Sequence, residues 1–370
     1  MSFRRWVTGL FFAPLFVLAV SACEPDDMSG DTDDFSNDTD VFDGDTDDFG
    51  TGPDTLVSVE GSEWQTTIAS TDTTPDLEDA DVRMFIPSDT AYVRGILIFS
   101  RNGVGDTEYE HNAWRSAAAT VGMAVINIEL RDCEERLTPW ESADQSVRLL
   151  NRMFTVLAEL SGHPELAEAP LFFFGHSAGA FWFTRLIPRF AERTAGFIAF
   201  QGSLTCDRLF SPEALAIPGM FVIAEYDPIW IRTGTTEIVD EGLKKGALWS
   251  LTVQPDVGHW DIDPSRSMMI AFMRTVFDRR LPPQSESGAP STLLPFPLDD
   301  IRLGTLTHRN VYDEEERIEG NGREIITAAV LLPPETPPDP TRSYHRLVSS
   351  GFAEAWVSYE VAGIDTIPIL

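Results

Sequence analysis

Between residues 95 and 253 the chain repeats one hydrophobic pattern. Short apolar runs without polar alternation recur as Gly95–Ser100 (GILIFS), Val121–Leu130 (VGMAVINIEL), Leu171–Phe174 (LFFF), Gly196–Phe200 (GFIAF), Gly219–Ala224 (GMFVIA) and Ala247–Val253 (ALWSLTV). A strand buried on both faces reads this way. Ahead of them, Asp81–Pro87 (DVRMFIP) alternates and stops at proline, as a strand with one face on a core does. Leu56–Glu60 and Thr66–Thr71 read as two further short strands.

Between these runs the period changes. Asn112–Thr120, Ser142–Leu160, Ala178–Phe190 and Ser267–Phe277 read as helices. In the second, Val147, Leu150, Phe154 and Leu157 share one face, widened by Leu149, Met153, Val156 and Leu160. Buried strands alternating with helices predict an α/β fold, a mostly parallel sheet with helices on both faces. Residues at the C-terminal ends of such strands share one edge, where ligands bind.

The division predicted is a signal peptide at 1–22, an acidic disordered linker at 23–55, a main domain at 56–281 and a Pro-rich C-terminal extension at 282–370 packed on it. In the extension, Ile325–Leu332 is readable as strand or helix. Val348, Phe352, Trp356 and Tyr359 recur at helical spacing. His308 and His345 are isolated, with no second ligand-type residue at metal-site spacing.

Charge sharpens the N-terminal reading. Arg4 and Arg5 precede a short apolar run, Trp6–Ala22, interrupted by Pro14, as in a secretory signal and too short for a membrane span. Val20-Ser21-Ala22-Cys23 resembles the bacterial lipobox, which implies that Cys23 carries a lipid and becomes the mature N-terminus. The expected location is the cell envelope, at the outer membrane or cell surface, with the membrane as a partner through that lipid. Residues 24–55 hold thirteen acidic residues and no basic ones, with DTDDF, DTDVF and DTDDF repeating every seven residues. Such a segment is a solvated spacer. It is also a candidate for weak calcium binding at Asp43–Asp48, although the bidentate Glu of a calcium loop is missing. The net charge of −32 argues against a nucleic-acid partner. In an oxidising compartment Cys133 and Cys206 are either a disulfide or two thiols.

The run Leu171–Phe174 leads straight into Gly175-His176-Ser177-Ala178-Gly179. Gly-x-Ser-x-Gly alone is weak, arising by chance in about one chain in ten of this length. Its place between a buried strand and a helix is what a nucleophile elbow requires. Ser177 is the candidate nucleophile. His259, just past the last core strand in Val257-Gly258-His259, is the candidate base. His176 leaves the turn in another direction, and His111 and His163 belong to other loops. Asp227 ends the fifth core strand and is the candidate acid, ahead of Glu225, Asp256, Asp261 and Asp263. The oxyanion hole is assigned to the N–H of Ala178 and to the loop after Ser100, with Gly103 or a neighbour as donor.

Ser177, Asp227 and His259 in that order, behind a strand and Gly-containing loop at 95–105, resemble the α/β-hydrolase superfamily. Within it they are similar to bacterial esterases of the dienelactone-hydrolase and polyhydroxybutyrate-depolymerase type. The resemblance spans about residues 56–281 and implies the α/β-hydrolase fold, a serine esterase with an acyl-enzyme intermediate, a small-molecule or polymeric ester substrate, no organic cofactor and no metal. One departure is visible: the family's His-Gly in the oxyanion loop is replaced by Arg101-Asn102-Gly103. The competing expectation is a surface binding lipoprotein that keeps the scaffold without the catalysis.

Overall fold

The computed structural model describes residues 58–69, 79–100, 104–130, 143–203, 207–282, 292–311, 323–333 and 344–362, all within the unit Asp48–Leu370. The signal, Cys23, the acidic spacer, Gly103, Cys133 and Cys206 lie outside the described residues.

The strands of the main sheet are β1 (Gly61–Ile68), β2 (Ala80–Pro87), β3 (Gly95–Ser100), β4 (Met123–Leu130), β5 (Leu171–His176), β6 (Thr194–Phe200), β7 (Gly219–Ala224) and β8 (Trp249–Gln254). They lie side by side in the order β1-β2-β4-β3-β5-β6-β7-β8. β2 runs antiparallel to both β1 and β4. The pairs from β4 across to β8 are parallel. This central mixed sheet flanked by helices is generally α/β-hydrolase-like.

The helices are α1 (Gly105–Glu110), α2 (Asn112–Val121), α3 (Ala143–Ser161), α4 (Ala178–Leu186), α5 (Pro212–Leu215), α6 (Ile229–Lys244), α7 (Asp263–Arg280) and α8 (Ser350–Ala362). Strand alternation sends neighbouring side chains to opposite faces, so the sheet builds two cores. Ile96, Ile98 and Phe173 pack with Leu150 and Phe154 of α3, Phe183 of α4 and Ile238 of α6. Leu97, Phe99, Phe172 and Phe174 pack with Trp114 of α2, Phe272 of α7 and Phe352 of α8. Each fully buried Phe, Leu or Ile contributes about 1.5–3 kcal/mol against exposure, which is why the uninterrupted runs fold as central strands.

Three sequence expectations change. Of the two short strands expected first, Ser58–Glu60 are irregular and Thr66–Ile68 end a single strand, β1; Leu56, Val57, Ser70 and Thr71 lie outside the described residues. The helix expected over Ala178–Phe190 stops at Leu186 and tightens into a 3₁₀ turn at Ile187–Arg189, because Pro188 has no N–H to continue the ladder. Gly105, which the sequence places in the loop after β3, instead opens α1. A β-carbon there would collide with the Ser100 carbonyl.

The C-terminal residues form a second sheet, in the order β10-β9-β11, of β9 (Arg302–Val311), β10 (Arg323–Leu331) and β11 (His345–Leu347). Together with α8 they meet the outer edge of β8. Leu251 donates its N–H to Nδ1 of His345 (3.2 Å) and accepts Nε1–H of Trp356 (2.9 Å). The Val253 N–H donates to the Glu360 carboxyl (3.3 Å). An open sheet edge is a template for unwanted pairing, and here side chains occupy its backbone groups.

The chain passes from β3 to β4 on one side and then to β5 on the other side of β3. The direction of winding reverses between β3 and β5, the kind of position at which open α/β sheets bind ligands. Ser177 follows β5 directly.

Candidate active site

Ser177 joins β5 to α4 with φ 50° and ψ −117°. That conformation is costly for a residue with a side chain and persists only where its surroundings enforce it. Gly175 and Gly179 permit the enforcement: a β-carbon on Gly175 would run into the backbone of Gly179 and Ala180, and one on Gly179 into the Ser100 hydroxyl. The Ser177 N–H donates to Phe200 O (2.9 Å), and Phe181 N–H donates to Ser177 O (3.1 Å), fixing the turn on both sides.

The loops after β7 and β8 bring two more side chains to Ser177. His259 Nε2 lies 2.9 Å from Ser177 Oγ. His259 Nδ1 lies 2.6 Å from Asp227 Oδ1. The other oxygen, Asp227 Oδ2, accepts the N–H of Ala224 at 2.7 Å. Asp227 is buried at 1% exposure, so it sits where its charge is little screened. A carboxylate facing Nδ1 places the ring proton there and leaves Nε2 with its lone pair toward the serine hydroxyl.

Three of the rivals for the acid, Glu225, Asp261 and Asp263, are occupied elsewhere. Glu225 accepts the N–H of Asp256 (2.8 Å). Asp261 accepts the N–H of Asp263 (3.3 Å) just ahead of α7, and Asp263 pairs with Arg266. Of the other histidines, His111 caps α2 by accepting the Ala113 N–H (3.2 Å), and His163 contacts Glu165 (2.8 Å). His345 holds the β8 edge.

On the oxyanion side, Ala178 opens α4. Its N–H is one of the first four, which have no partner inside the helix, and the helix end adds partial positive charge. Gly103 lies outside the described residues. The neighbouring Val104 N–H is engaged: it donates to His176 Nδ1 (3.2 Å).

Several participants escaped the sequence reading. His176 is fully buried, with Nε2 2.7 Å from the His259 carbonyl and 3.1 Å from Gln201 Oε1. Burial pulls its pKa down to about 4. Gln201, with φ 51°, directly follows β6. Apart from these contacts, buried Glu108 of α1 accepts Nε–H (2.8 Å) and Nη2–H (2.9 Å) of Arg266 on α7 and Nε1–H of Trp114 (2.6 Å), which ties α1 to α7. A polar residue directly after a core strand, such as Gln201 in FIAFQG, was the available signal for the second of these.

Around the site two large aromatics face outward. Trp230 is 58% and Trp260 67% exposed. Trp230 leans on Phe181 (5.9 Å between rings), and Trp260 stands edge-on to His259 (5.4 Å). Among the described residues no group of three or more His, Cys, Asp or Glu side chains is placed to hold a metal ion, and no helix is long and apolar enough to cross a membrane.

No protein-family model matches the chain, and no curated protein matches it in sequence. Among solved structures it is similar to a thermostable esterase at 14% identity and TM-score 0.43, over 58% of this chain and 62% of that one. It is similar to an S-formylglutathione hydrolase of Staphylococcus aureus at 12% identity and TM-score 0.43, over 59% and 98%. A ferulic acid esterase gives 10% identity and TM-score 0.45, over 60% and 99%.

Proposed function

We propose that the chain is a serine hydrolase that cleaves carboxylic esters, with Ser177 as nucleophile, His259 as general base and acid, and Asp227 as the carboxylate that orients the imidazole. The observation that supports this most is the pair of short contacts along one line, Ser177 Oγ to His259 Nε2 at 2.9 Å and His259 Nδ1 to Asp227 Oδ1 at 2.6 Å. A free serine hydroxyl is a weak nucleophile and needs such a base.

In the first half-reaction Ser177 Oγ bonds to the ester carbonyl carbon as its proton passes to His259 Nε2. The carbonyl oxygen becomes an oxyanion, which the Ala178 N–H and the loop after β3, with Gly103, stabilise. Asp227 balances the imidazolium. The tetrahedral intermediate collapses, the C–O bond to the alcohol breaks, and His259 returns its proton to the departing alkoxide. Water then gives a proton to His259 and its oxygen to the acyl carbon. Collapse of this second intermediate releases the acid and restores the Ser177 hydroxyl with the proton from His259.

Trp230 and Trp260 wall the entrance beside the acid and the base and offer flat apolar faces to the ester. In the same proposal, export and lipidation at Cys23 anchor the chain in the cell envelope, and the acidic spacer holds the hydrolase unit away from the membrane. The test is turnover of p-nitrophenyl esters of rising acyl length: Ser177→Ala abolishes it, and Asp227→Asn lowers kcat by roughly 10⁴ through the wrong imidazole tautomer. Folded protein with no turnover on any ester would favour a binding role for the scaffold.

A further inference from the structure

We infer that His176, the residue before the nucleophile, is a positioning residue that ties the oxyanion loop to the loop carrying His259. The inference rests on the hydrolase reading for its catalytic consequence, and on geometry alone for the tie.

The ring of His176 is fully buried at the end of β5. Its two nitrogens serve two different loops. Nδ1 accepts the N–H of Val104, in the loop after β3, at 3.2 Å. An acceptor nitrogen carries no proton, so the proton of the neutral ring is on Nε2. Nε2–H then donates to the backbone carbonyl of His259 at 2.7 Å, with Gln201 Oε1 at 3.1 Å as a second acceptor. The roles cannot be exchanged, because Val104 offers a donor and His259 an acceptor. Protonation would set two N–H groups against one acceptor loop and one donor loop and break the first bond; burial holds the ring neutral down to about pH 4.

Gln201 completes the arrangement. It is fully buried, and its Nε2 donates to Gln254 Oε1 (3.0 Å) and Gly258 O (3.1 Å). The carbonyls of Gly258 and His259 are therefore both held from below by one connected pair of side chains. The groups facing the His176 ring are the Val104 N–H, the His259 carbonyl and ring (5.0 Å between centroids), Gln201, Phe200 and Trp260. None of these is a carboxylate. The ring thus acts as a neutral strut between the two loops that must hold their spacing while charge develops in the reaction.

Two substitutions separate the ends of the strut. In His176→Asn the amide oxygen takes the place of Nδ1, keeping an acceptor for Val104 and losing the donor to His259. In His176→Gln the amide nitrogen reaches the place of Nε2, keeping the donor to His259 and losing the acceptor for Val104. The expected result is a split. His176→Gln lowers kcat about tenfold or more through the oxyanion side, while the loop carrying His259 keeps its support. His176→Asn lowers kcat through the other loop, because the His259 backbone loses its donor while the Val104 N–H keeps its acceptor. Amide hydrogen exchange, read by mass spectrometry, tests the tie independently of turnover. His176→Asn speeds exchange in the segment around Gly258–Trp260, and His176→Gln in the segment around Val104. If both variants exchange like the wild type at those distant segments, or if both lose activity only in proportion to unfolded protein, the inference is overturned. A wild type without esterase activity that still shows the exchange pattern would sink the hydrolase reading and leave the tie standing.

Discussion

The hydroxyl of Ser100, at the end of β3, occupies the space that a β-carbon on Gly179 would need. Gly179 is therefore required by its neighbour across the sheet, and the elbow at Ser177 depends on a contact between β3 and α4. Gly179→Ala is expected to remove activity and to destabilise the fold by about 1–3 kcal/mol through overpacking. The Ser100 Cα stands 4.0 Å from the same point, ordinary contact distance. Adding Ser100→Gly to Gly179→Ala should thus recover stability, measured by urea unfolding. A double variant no more stable than the single one would show that the obstruction lies elsewhere.

The exposed indoles make a prediction about substrate handling. Trp230 follows Asp227 by three residues and leans on Phe181, and Trp260 follows His259 and stands edge-on to its ring; both are exposed. Replacing either by Ala should raise KM for aryl esters several-fold with kcat little changed, the signature of lost uniform binding. The loss of one aromatic face is worth about 0.5–1.5 kcal/mol. Unaltered KM across aryl and long-chain esters would mean that the indoles do not touch substrate.

The edge of β8 supplies a test by pH. Glu360 is fully buried, and burial raises its pKa well above the carboxylate range, while the Val253 N–H it accepts works against that. The folded protein keeps this proton at pH values where the unfolded chain, with a glutamate pKa near ~4.3, has released it. Between those two values stability falls as pH rises. Glu360→Gln cannot ionise and retains an acceptor for Val253. Its stability relative to wild type should be near parity at pH 4.5 and greater by at least ~1 kcal/mol at pH 8. A pH-independent difference would contradict a neutral Glu360.

Much of this architecture could be read from hydrophobic pattern, and the exceptions have causes. The six apolar runs from Gly95 to Val253 fall in β3 to β8 because a strand covered on both faces tolerates no polar alternation. Helix α6 had no such mark. Its buried side is Ile231, Arg232, Thr235, Ile238, Val239, Gly242 and Leu243. Correct spacing is there, but polar residues interrupt the apolar stripe and β-branched residues and glycine lower its helix propensity. Ser177, Asp227 and His259 were legible because each follows a core strand, and parallel strands deliver such positions to one edge. The roles of His176 and Gln201 were not: Gln201 is marked only as a polar residue after a core strand, and what both do depends on which backbone groups they meet, which the sequence does not record. The antiparallel pairing of β2 was equally silent, since alternation reports a half-buried face and not a direction.

The central claim is that the His259–Asp227 pair makes Ser177 nucleophilic. Reaction with a fluorophosphonate, followed by peptide mass spectrometry, tests it most directly. The account predicts a covalent adduct on Ser177 in the wild type, none in Ser177→Ala, and labelling slowed by roughly 10³-fold or more in His259→Ala. A folded wild type that stays unlabelled, or that labels as fast without His259, would contradict it.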